Sequence, residues 1–210
     1  MKEISGDAKN VRMLLNGAKF AIDYYQREYR WEKKQVAELI GADPREIVWT
    51  SGATAGLNLI AYSIGNATLG RGAPASTGLA LRAGDEILVT DHEYNAALNA
   101  ARFVAERSGA RVVVARIPFP LSDPAQVTAA VLAEVTPRTR LIVLTNPHNP
   151  TGALAGDDEL EAIGRLAERC GASVLVDEVY LDSVPGGPHR AAATRGPVFI
   201  TTSSLTKSYG

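Results

Sequence analysis

Short runs that are apolar at every position constrain this chain more than any other feature. Leu141-Ile142-Val143-Leu144 and Val174-Leu175-Val176 present no polar face. A strand covered on one side alternates apolar and polar residues, whereas a strand covered on both sides is apolar throughout. Such runs alternate with stretches of helical periodicity, which predicts strands near 46–50, 86–90, 111–116, 140–145, 173–176 and 197–202. Helices are predicted over 32–40, 55–63, 94–108, 123–134 and 157–169, the last opened by Asp157 and Asp158, acidic residues that suit a helix N-terminus. The alternation implies an α/β fold with a mainly parallel sheet covered by helices on both faces. Only residues 66–84, rich in Gly, Ala and Thr, read as an extended loop.

Charge and cysteine content exclude several classes of partner. With 22 basic and 23 acidic residues in 210, the formal net charge is -1, so no global field draws the chain to nucleic acid or an anionic membrane. The single cysteine, Cys170, cannot form an intrachain disulfide and reads as a packed thiol. No apolar stretch is long enough for a membrane span, and residues 1–7 lack the apolar region of a signal peptide. A soluble, cytoplasmic protein is expected.

Ligands of parallel α/β sheets bind at the carboxyl ends of strands, and His92, Asn149, Asp177 and Lys207 all follow predicted strand ends. Singly these residues have ordinary readings. Asn-Pro and Pro-Thr-Gly are turn signals, an aspartate at a strand end is common, and most lysines are solvated. In order, however, they form Asn146-Pro147-His148-Asn149-Pro150-Thr151-Gly152, then Val176-Asp177-Glu178-Val179-Tyr180, then Ser203-Ser204-Leu205-Thr206-Lys207. Residues 141–210 with these motifs resemble the class I/II aminotransferases, fold-type I enzymes that use pyridoxal 5'-phosphate (PLP). The resemblance implies that Lys207 forms the Schiff base with the cofactor aldehyde, for which a long-reach primary amine is required. It further implies that Asp177 holds the pyridinium, that Asn149 and Tyr180 donate to the phenolic oxygen, and that Ser204 contacts the phosphate. Lys207, Asp177 and Tyr180 are then the catalytic candidates.

The middle of the chain follows a different pattern. Thr50-Ser51-Gly52-Ala53-Thr54-Ala55-Gly56-Leu57-Asn58 runs from a strand through small residues into a helix, where free backbone N–H groups can meet a phosphate. Gly52, Ala53 and Thr54 are the phosphate candidates; the alternative is a plain strand-to-helix connection with Thr54 as N-cap. With Asp91-His92-Glu93-Tyr94-Asn95, residues 43–140 resemble class V aminotransferases of the cysteine desulfurase and isopenicillin N epimerase type. That resemblance implies that His92 stacks on the cofactor ring. His148 and His189 read as loop residues.

The opening differs again. Tyr25-Gln26-Arg27-Glu28-Tyr29-Arg30-Trp31, within residues 10–40, resembles the start of the ParB-like domain of modification-dependent restriction systems, although Asp23 stands where that family usually has proline. Gln26, Arg27 and Arg30 could meet phosphate while Tyr25, Tyr29 and Trp31 stack on a base. The alternative, favoured without the rest of that domain, is that the aromatics cover the sheet and the cations stay solvated. The expected organisation is a segment of different ancestry over 1–42 and a partial PLP-binding large domain over 43–210, a chimera joined near 33–42 and 140–146. The function expected is an aminotransferase-like reaction at the alpha carbon of an amino acid, with an amino-acid or 2-oxo acid substrate and, by resemblance, a homodimer. Turnover is expected to suffer because the family's C-terminal sequence is missing. The competing expectations are a nucleotide- or DNA-binding module led by residues 25–31, and a non-catalytic fragment.

Overall fold

The computed structural model describes residues 20–23, 32–68, 80–123, 125–186, 189–204 and 207. Twelve principal elements follow one another: β1 (Phe20–Asp23), α1 (Lys33–Ile40), β2 (Ile47–Thr50), α2 (Ala53–Thr68), β3 (Glu86–Thr90), α3 (Asn95–Ser108), β4 (Arg111–Ala115), α4 (Ala125–Glu134), β5 (Thr139–Thr145), α5 (Asp157–Cys170), β6 (Ser173–Asp177) and β7 (Phe199–Ser204). The strands form one sheet in the order β2-β1-β7-β6-β5-β3-β4. Every neighbouring pair runs parallel. No helix among the described residues is long and apolar enough to cross a membrane.

The unbroken apolar runs have the predicted cause. Leu141, Val143 and Leu175 pack with Leu57, Ile60 and Ile64 of α2 and Ala101 and Val104 of α3 on one face. Ile142, Leu144, Val174 and Val176 pack with Val131 of α4 and Leu160, Ile163 and Ala167 of α5 on the other. Successive side chains point to opposite faces of a strand, so a sheet clothed on both sides needs every position apolar. Each such Ile or Leu contributes about 1.5–3 kcal/mol by leaving water. Gly164 lets α5 press against β7, since a Cβ there would lie 2.8 Å from Phe199 Cε2.

Most predicted elements match to within two residues at each end. Helix α2 is the main difference: it starts at Ala53 and continues to Thr68, so Thr54 lies inside the helix rather than capping it, and residues 66–68 are helical rather than loop. Strand β1 was not anticipated, because four residues carry too little pattern to announce a strand without knowledge of their neighbours. Residues 25–31, with their aromatic and basic motif, lie outside the described residues, as do residues 69–79 of the predicted loop.

At the amino end of the sheet Glu86 is fully buried. Arg111 Nη2 donates to its Oε1 at 2.5 Å, Arg138 Nε at 3.0 Å, and Thr136 Oγ1 donates to Oε2 at 2.6 Å. Burial works to raise its pKa, but these hydrogen bonds outweigh it and hold the carboxyl down to about 2. The cluster ties β3, β4 and the entry to β5 together, opposite the edge where the candidate site lies.

Candidate active site

From β3 the chain passes outward to β4, then returns to build β5, β6 and β7 on the other side of β3. Loops leaving β3 and β5 therefore diverge at their carboxyl ends and leave a crevice. A cavity of about 220 Å³ opens along this edge. Gly52, Ala53 and Thr54 line it from the β2–α2 turn, Tyr94 from beyond β3, and Thr145 and Asn149 from β5 and its loop. Asp177, Val179 and Tyr180 line it from β6 onward, and Ser204 and Lys207 from β7 onward.

Each contributor is positioned by local structure. Gly56 N donates to Gly52 O at 2.9 Å, so the helix begins there and the N–H groups of Ala53, Thr54 and Ala55 precede the first intrahelical donor. Thr50 Oγ1 donates to Gly52 O at 3.0 Å and holds the turn. The loop bearing Asn149 is tied at its base by Asn146, whose Nδ2 donates to Ala155 O at 3.2 Å and whose Oδ1 accepts from Ala155 N at 2.7 Å. Gly152, with φ of 72°, closes the turn by donating to His148 O at 2.8 Å; the left-handed conformation favours glycine.

Asp177 is buried, and its Oδ1 accepts from Val179 N and Thr202 Oγ1, both at 3.3 Å. Burial raises its pKa to about 6 against the pull of those two donors. No ion pair to Asp177 occurs among the described residues. Glu178 next to it turns into the protein interior, where its Oε1 accepts from Ala192 N at 2.9 Å and burial pushes the carboxyl up to about 8.

All the residues expected from sequence line the cavity except His92, which is exposed and stands outside the lining beside His148, with ring centroids 5.9 Å apart. Tyr94 occupies the lining instead. His148, read from sequence as a loop residue, bridges two loops: its Nε2 lies 2.7 Å from His92 O and its Nδ1 lies 2.8 Å from Thr151 Oγ1. Sequence reasoning also missed Glu93. Its Oε1 accepts from the Thr145 hydroxyl and from Tyr94 N, its Oε2 is buried with no partner among the described residues, and burial, reinforced by the charge of Asp177, pushes it up to about 7. An acidic residue directly after His92 was the available signal.

A family model for class V aminotransferases matches residues 17–189. The chain belongs to that family. Among curated class V and other relatives it is 34% identical over 152 residues to a probable cysteine desulfurase of Vibrio cholerae, an alignment covering 71% of this chain and 33% of that one. It is 34% identical over 131 residues to isopenicillin N epimerase of Streptomyces clavuligerus, covering 62% and 29%. Histidinol-phosphate aminotransferase of Paracoccus denitrificans is 36% identical over 132 residues, covering 60% and 32%. The chain thus spans about a third of the length of these relatives. Of solved structures, N-succinyldiaminopimelate aminotransferase of Mycobacterium tuberculosis superposes with a TM-score of 0.57 at 29% identity, covering 83% of this chain and 42% of that one. A cysteine desulfurase of Escherichia coli gives 0.56 at 26%, covering 85% and 37%.

Class V aminotransferases use PLP, and this cavity fits it. A buried carboxyl with a raised pKa and no cationic partner among the described residues is what a protonated ring nitrogen would satisfy. Free N–H groups at the start of α2, facing Ser204 across the same cavity, suit a phosphate dianion. Lys207 supplies the primary amine.

Proposed function

We propose that this chain performs PLP-dependent chemistry at the alpha carbon of an amino acid, with an amino-acid or 2-oxo acid substrate. What supports the reading is one observation: a lysine amine and a buried carboxyl without a cationic partner among the described residues line the same cavity. When bound, PLP supplies the electron sink that makes the alpha C–H bond acidic. Asp177, ionised, keeps the ring nitrogen protonated. The first-turn N–H groups of Ala53 and Thr54 and the Ser204 hydroxyl hold the phosphate, and Asn149 and Tyr180 donate to the phenolic oxygen. Lys207 Nζ anchors the cofactor and then carries the alpha proton as general base. Tyr94 and Tyr180, partly exposed at the mouth, are the side chains positioned to meet substrate.

Exchange of the alpha proton for deuterium, followed by NMR over a panel of amino acids with PLP present, tests this. We expect saturable exchange in the native chain. Lys207→Ala should slow it by about 10²–10⁴-fold, the usual contribution of a positioned general base. Asp177→Asn should slow exchange more than it weakens PLP retention. Exchange no faster than with free PLP, or unaffected by either change, would contradict the proposal.

A further inference from the structure

The sequence marks residues 1–42 as a segment of different ancestry, yet Phe20–Asp23 lies inside the sheet. In register, Ala21 pairs with Val48 of β2 on one side and Thr202 of β7 on the other, and Asp23 pairs with Thr50 and Ser204. Those last two partners are the sheet residues that lead into the two halves of the phosphate cup: Thr50 precedes the Gly52–Ala53–Thr54 turn, and Ser204 lines the cavity opposite it. Among the described residues, strand β2 has no other strand neighbour. Its hydrogen-bonded link to the rest of the sheet runs through β1.

We infer that β1 is a spacer that sets the width of the phosphate cup, and that the N-terminal segment therefore belongs to the cofactor site. Strands lie about 4.8 Å apart, so β2 and β7 with one strand between them are about 10 Å apart, and would be about 5 Å apart if they paired directly. Donors on either side of a phosphate must be separated by more than about 6 Å, two hydrogen-bond lengths plus the group itself. Only the spaced arrangement leaves that room. Without β1, β2 either closes onto β7 and fills the cup or leaves the sheet and takes the turn with it. The role rests on the PLP reading of the cavity, but the placement of β1 does not.

Two measurements on the full chain separate these. Hydrogen–deuterium exchange without cofactor should show the amides of residues 20–23 protected like those of β7. Ile22→Pro, which removes a ladder donor from an interior strand, should speed exchange in β2 and β7 at least tenfold while leaving β4, at the far edge, unchanged. Ile22→Val should change neither. If proline unfolds the whole chain, Ile22→Gly, which keeps every N–H, gives the same comparison more mildly. Unprotected amides at 20–23, or variants that leave β2 and β7 untouched, would overturn the inference. Next, PLP and phosphate-free pyridoxal are titrated against native chain and variant. The spacer role predicts at least a tenfold loss for PLP with pyridoxal affinity held within twofold. An equal loss for both, or none, would overturn it. If the native chain binds neither compound, the PLP reading fails while exchange still judges β1.

Discussion

Under the proposed function, Asp177 is the residue that couples burial to cofactor chemistry. Its pKa in the free protein is raised to about 6, chiefly by burial, so at pH 5 most molecules carry the neutral acid, which cannot balance a pyridinium. Above pH 7 most carry the carboxylate. PLP affinity should therefore rise by about tenfold between pH 5 and 7, following the ionised fraction of a group with that pKa. Asp177→Asn should remove the part of the pH dependence that belongs to this carboxyl, which absorbance titration at several pH values would measure; identical profiles for native and variant chains would contradict it. Asp177 and Lys207 were legible in the sequence as residues that follow strand ends, and both line the cavity. Glu93 was not, because its partner Thr145 lies 52 residues away. Their meeting depends on β3, β5 and β6 stacking with Thr145 in register with Asp177.

Elements were legible where burial on both faces made the pattern unbroken, as in β5 and β6. They were not legible where neighbours decide the outcome. Strand β1 is held by β2 and β7, and the last turn of α2 runs through Asn66, Ala67 and Thr68, a composition shared with loops. The Glu86 cluster is the element-scale feature with the clearest stability consequence. Its carboxyl is held down to about 2, below its ordinary value near 4.5. A lowered folded-state pKa means the stabilisation is present above the unfolded pKa and is lost as pH falls from about 4.5 toward 2. Glu86→Gln should cost about 1.5–3 kcal/mol at pH 7, the usual contribution of hydrogen bonds to a charged group, since the exposed guanidiniums of Arg111 and Arg138 stay solvated, and should flatten the acid limb of a urea stability profile. A variant as stable as the native chain at pH 7, or equally acid-sensitive, would show that Arg111 and Arg138 contribute nothing through Glu86.

At the scale of the whole molecule, the parallel sheet separates stability from chemistry. The Glu86 cluster ties strands together at the amino end, while the carboxyl end gathers contributors from five separate stretches of chain into one cavity. Membership of the class V family fits that plan, and residues that resembled class I/II enzymes, Asn149, Asp177, Tyr180, Ser204 and Lys207, line the same cavity as Gly52, Ala53 and Thr54, in the turn that resembled class V enzymes. The two resemblances seen in the sequence thus converge on one place. The central claim is that this place holds PLP through Lys207. Borohydride reduction of the chain incubated with PLP, followed by peptide mapping in a mass spectrometer, tests it most directly. One phosphopyridoxyl group is expected, on Lys207, lost in Lys207→Ala; a label scattered over surface lysines, or seated on another lysine, would contradict this assignment.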